Sequence, residues 1–82
     1  MNKTFYTISE VSKKYQEPQH VLRFWERHFE ILKPMQSSNR RYYRQEDLKI
    51  LSSIQKLLRE DLFTIEGAKK KLIEIYLSLI HI

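Results

Sequence analysis

The chain has 82 residues, no cysteine, one glycine and two prolines, and it carries a formal net charge of +5. That length holds one domain with a modest core, and the lack of cysteine excludes a disulfide framework and a thiolate metal site. The opening "MNKTFYTISE" has no apolar signal-peptide core, no stretch is long and apolar enough to span a membrane, and the basic balance points to a polyanionic partner.

So little glycine and proline predicts a mostly helical chain with short loops. Thr7 to Glu10 has the pattern of a capping box, with Tyr6 and Val11 at the staple positions. A first helix is expected over about 8–15, with Val11 and Tyr15 inward. "QEP" ends it, and Pro18 suits the first position of a second helix that runs to about Phe29. Two short helices joined by a tight turn give a helix-turn-helix outline, although any helical hairpin shares it.

Between Ile31 and Arg44, the runs "ILKPM" and "RRYYR" flank the polar tip "QSSN". This predicts a small two-stranded hairpin, with Pro34 on its edge side because proline cannot donate to a ladder. Asn39 is the residue expected at positive φ. A third helix follows over about 45–60, with Glu46 and Asp47 at its positive end and Leu48, Leu51, Ile54, Leu57 and Leu58 as its apolar stripe. After "EDLF", Thr64 can cap a fourth helix whose stripe is Ile65, Ala68, Leu72, Ile75 and Tyr76.

The basic residues are not spread evenly. At about 100° per residue, Leu22, Trp25 and Phe29 share the core face of the second helix, while His20, Arg23, Phe24 and Arg27 share the opposite face. Gln19 sits at its N-terminal edge. Arginine offers forked donors to guanine, and glutamine offers an amide to adenine. On the hairpin, Arg40, Arg41 and Arg44 surround Tyr42 and Tyr43. Arginine neutralises phosphate with bidentate geometry, and strand alternation turns one tyrosine inward. One helix and one hairpin then form a continuous positive surface suited to a nucleic-acid duplex.

Other residues read more plainly. Trp25 belongs to the core by periodicity, Phe24 packs beneath the hairpin, and Glu26 pairs with a local arginine. His20 and His28 are too few and badly placed for a metal site, and His81 lies in the tail. No nucleophile–base pair, phosphate loop or carboxylate dyad is visible, so neither an enzyme nor a cofactor is expected.

"YTISEVSKKY", "VLRFWERHF", "LKPM", "RRYYRQEDL" and "LREDLFTIEGAKKKL" follow one another in the order and spacing of the MerR-type DNA-binding domain. The chain resembles that family over about Tyr6 to Leu72. The resemblance implies a mainly α fold over about 1–76: a winged helix-turn-helix with a two-stranded wing, followed by a helical hairpin. It further implies a cytoplasmic, bacterial-type transcription regulator. Family members are usually homodimers that bind a pseudo-palindromic site in double-stranded DNA and distort the promoter for RNA polymerase. The family's recognition positions fall on Gln19, His20, Arg23, Phe24 and Trp25, and its wing contacts on Arg40, Arg41, Tyr42 and Tyr43. On that pattern the Trp25 N–H reaches phosphate or sugar, whereas periodicity places the ring in the core. Gln16 stands where the family's turn carries glycine, and "SSN" replaces a glycine-rich wing tip, so the geometry of both is open.

Family members dimerise through a long helix beyond the helical hairpin, where this chain stops. Its last six residues, "LSLIHI", match the translation of ctg tct ctt ata cac atc, a widely used transposon sequencing adapter. Leu77 to Ile82 is therefore expected to be adapter read-through on a truncated fragment, the alternative being a natural apolar helix end. Two other functions stay open. One is an excisionase-like architectural DNA-binding protein. The other is a basic interaction module in which "AKKKLIEIYLSLIHI" lies on an anionic membrane or in a partner's groove.

Overall fold

A computed structural model describes residues 4–80, with side chains through Leu77. In chain order the elements are β1 (Tyr6–Thr7), α1 (Ile8–Tyr15), α2 (Gln19–His28), β2 (Met35–Ser37), β3 (Arg40–Tyr43), α3 (Gln45–Gln55), a π-helical segment (Lys56–Glu60) and α4 (Ile65–Ile80). The chain divides into two compact units, the first ending at Ile50 and the second starting at Leu51.

In the first unit, α1 starts where the capping box places it. The Glu10 N–H donates to Thr7 Oγ1 at 3.2 Å, and the Thr7 N–H donates to Glu10 Oε1 at 2.9 Å. The helix ends on Gln16, which adopts the left-handed conformation (φ 56°, ψ 43°) without being glycine. The turn is tied by the Ser12 hydroxyl, which donates to the Glu17 carbonyl at 2.5 Å. Pro18 is the N-cap of α2, one residue before the position expected for it, and its carbonyl accepts the N–H groups of Val21 and Leu22. Val11, Leu22, Trp25, Phe29, Leu32, Tyr43 and Leu48 are buried. Tyr15 is half-buried, and its hydroxyl donates to the Leu48 carbonyl at 3.2 Å.

The expected two-stranded hairpin is part of a three-stranded antiparallel sheet in the order β1-β3-β2. Tyr6 and Thr7 pair with Tyr43 and Tyr42, and Met35, Gln36 and Ser37 pair with Tyr42, Arg41 and Arg40. A two-residue strand is too short to show alternation, so nothing local announces β1. Residues 31–34 lie outside the sheet, and Pro34 precedes β2, where it costs no ladder bond. Ser38 (φ 49°) joins Asn39 (φ 65°) in the left-handed region. Positive φ at both makes this a type I′ turn, whose twist matches that of the flanking strands.

In the second unit, Leu51, Ile54, Leu57, Ala68 and Leu72 are buried. The third helix does not stay α-helical to Glu60. The Asp61 N–H donates to the Lys56 carbonyl five residues back, at 3.0 Å, and Lys56 Nζ bridges to Asp61 at 3.2 Å across the widened turn. Leu62 then takes a positive φ of 58° and reverses the chain. Thr64 Oγ1 accepts the Gly67 N–H at 3.0 Å, as expected of a cap. Ile65 and Tyr76 are half-buried, whereas Ile75 is exposed, so the α4 stripe is narrower than its spacing suggested. The helix continues through Leu77 to Ile80; His81 and Ile82 lie outside the described residues. No described helix is long and apolar enough to cross a membrane.

Candidate nucleic-acid interface

The two faces of α2 divide as the spacing predicts. Leu22 and Trp25 are buried, with Phe29 just beyond the helix end. His20, Arg23, Phe24 and Arg27 are exposed, and Gln19 is half-buried at the N-terminal edge. Trp25 is only 3 % exposed, so its ring belongs to the core. The ring contacts of Phe24 are with its own helix. It packs on His28 with centroids 4.2 Å apart, and the Arg27 guanidinium lies 5.9 Å from its centroid. The exposed face thus carries a small stack that holds Arg27 at the surface.

Three elements meet around an open cleft of about 320 Å³. The start of α1 contributes Thr7, Ile8 and Ser9, α2 contributes Gln19 and Arg23, and the hairpin contributes Asn39, Arg40 and Arg41. Arg23 and Arg40 make no hydrogen bond or ion pair with any described residue. Sequence reasoning found the arginines and Gln19 but missed Thr7, Ser9 and Asn39. The capping box marked the start of α1, but its place beside the hairpin depends on the β1–β3 pairing.

Arg41 and Arg44 are engaged by carboxylates. Arg41 Nε donates to Glu26 Oε1 at 2.6 Å, so Glu26 does pair with an arginine, but with one on β3 rather than the local one expected. The Tyr43 hydroxyl donates to the other oxygen of the same carboxylate, Glu26 Oε2. Burial, then the hydrogen bond to Glu26 and its negative charge, push the Tyr43 phenol far above its ordinary pKa, while Arg41 pulls it partly back. Arg44 Nε lies 3.1 Å from Asp47 Oδ2 and 3.3 Å from Glu46 Oε1, and its Nη2 donates to the Lys33 carbonyl at 3.3 Å. The hydrogen bond to Asp47, reinforced by its charge, raises the Arg44 pKa. Arg44 therefore holds the start of α3.

Alternation along β3 resolves the tyrosine pair. Tyr43 is buried, and Tyr42 is half-buried with its ring edge-on to Phe5 at 6.4 Å. Among the described residues, no cluster of three His, Cys, Asp or Glu side chains could hold a metal ion. Chemically, the arrangement offers unpaired guanidinium groups on both walls of a cleft, with an amide and hydroxyls between them. Such a surface suits phosphates and base edges.

The family model described as "MerR HTH family regulatory protein" matches residues 6–74, which is most of the chain. No curated protein and no solved structure gives a significant match.

Proposed function

We propose, from the premise that this chain belongs to the MerR HTH family of regulatory proteins, that it binds double-stranded DNA sequence-specifically and regulates transcription. On this reading α2 enters the major groove. Gln19, His20 and Arg23 meet base edges at its N-terminal end, and Phe24 and Arg27 face sugar and phosphate beside them. The wing lies on the backbone, with Arg40 on phosphate and Tyr42 on sugar. Arg41 and Tyr43 stand behind them, and Trp25 supports the helix from beneath. Two copies occupy a pseudo-palindromic site, and RNA polymerase is reached through the distorted promoter. As a bacterial-type regulator it meets that DNA in the cytoplasm.

One observation carries the reading: Arg23 and Arg40 project from two different elements into one cleft, and neither is paired with an acid among the described residues. Cations held apart without partners suit a polyanion of fixed charge spacing. The test is duplex affinity measured against salt. The two unpaired arginines assigned to phosphate (Arg27 and Arg40) predict a slope of log affinity on log salt of about −1.8 per copy. Arg40→Ala makes it shallower by about 0.9. Affinity that ignores salt refutes DNA binding through this surface.

A further inference from the structure

We propose that Glu26 is the positioning residue of this interface: its carboxylate fixes the wing to α2, and Arg41 serves that bond rather than a phosphate. The inference rests on the DNA-binding reading above. Glu26 projects from α2 with a side chain only 10 % exposed, and both of its oxygens are used by β3. Oε1 takes Arg41 Nε and Oε2 takes the Tyr43 hydroxyl. Arg41 and Tyr43 are two residues apart on one strand, so their side chains leave the same face and converge on one acid. A carboxylate this buried is costly unless both oxygens are satisfied. The wing must therefore keep this register on α2 to keep the acid paired.

Besides this acid, the wing is held by the buried Tyr43 ring and by β1. The wing is a three-residue strand, a two-residue turn and a four-residue strand, joined to the rest of the sheet only through the two residues of β1. Yet the cleft works only if Arg40 on the wing, at a phosphate, and Arg23 on α2, at a base edge, stand at a set distance, because the backbone and the groove floor of a duplex are held at fixed spacing. Holding that distance before binding avoids ordering the wing during it. Arg41 also lines the cleft, but its Nε is committed to Glu26 and its charge is offset by that acid.

A position-holder and a phosphate contact differ in their response to salt. The full chain and its variants are titrated with a short random-sequence duplex over a range of salt concentrations. Arg41→Ala weakens binding about tenfold at every salt concentration and leaves the slope at the wild-type value. Glu26→Ala also weakens binding about tenfold, although it removes a negative charge from a DNA-facing surface. The double variant is no weaker than either single one, because both remove the same bond. Two results overturn the proposal: a slope shallower by about 0.9 in Arg41→Ala, or tighter binding in Glu26→Ala. Far-UV circular dichroism checks folding, and Arg41→Ala, at a half-exposed position, decides the matter by its slope where Glu26→Ala does not fold. Wild-type protein that binds no duplex refutes the DNA-binding reading itself, which is a different outcome from either.

Discussion

Replacing Gln16 with glycine should stabilise the protein and leave DNA affinity unchanged. Gln16 ends α1 at φ 56°, ψ 43° and donates its backbone N–H to the Ser12 carbonyl. Glycine keeps that N–H and loses the Cβ that makes the left-handed region costly, by about 1–2 kcal/mol for a residue with a side chain. Glycine also loosens the unfolded chain, which returns about 0.4–1 kcal/mol. The net gain is about 0.5–1 kcal/mol, or a rise in melting temperature of about 2–8 °C for a domain of this size. The Gln16 side chain is exposed, makes no hydrogen bond with a described residue and does not line the cleft, so nothing is lost with it. Thermal melts followed by circular dichroism read the first effect, and duplex titration reads the second. A Gln16→Gly melt at or below the wild-type temperature refutes the argument, because the left-handed turn is then not a strained one.

Two further predictions concern the core side of the interface. The folded-state pKa of Tyr43 is raised above the unfolded value of about 10, so the stability it contributes is fully present below that pH and lost as pH rises beyond it. Wild-type stability should therefore fall more steeply than that of Tyr43→Phe above pH 10, by up to about 1.4 kcal/mol per unit, in denaturant unfolding at stepped pH; parallel curves would contradict it. Trp25→Phe keeps an apolar ring and removes the indole N–H; it should lower the melting temperature through a cavity yet bind duplex with unchanged affinity. A tenfold loss of affinity in a folded Trp25→Phe protein would instead make the N–H a DNA contact.

The features legible in the sequence were those set by neighbours. The Thr7–Glu10 box needs residues three apart, and the division of α2 into Leu22–Trp25 and Arg23–Arg27 faces needs only the helical period. What escaped depends on distance or on backbone geometry that side chains do not announce. β1 is strand only because Tyr43 and Tyr42 come back to it. The widened turn after Gln55 carries the same leucine spacing as an α-helix, and Leu62 and Ser38 enter the left-handed region although neither residue type favours it. Glu26 was expected to find an arginine, but its choice of Arg41, fifteen residues away, is a product of the fold.

That choice changes what the net charge means. Composition counts Arg23, Arg27, Arg40, Arg41 and Arg44 alike, yet Arg41 and Arg44 are each held by carboxylates while Arg23 and Arg40 face open solvent in the cleft. An acid on a DNA-facing helix opposes the polyanion by Coulomb's law, so Glu26 is tolerable only because a guanidinium and a phenol close over it. Seen from the groove, the cluster is a dipole whose field falls off faster than that of a bare charge. The attraction outside is left to the unpaired arginines, whose longer-range field salt screens over about 8–10 Å. The paired arginine therefore sets where the unpaired ones stand, and counting cations alone overstates how many phosphates this surface can neutralise.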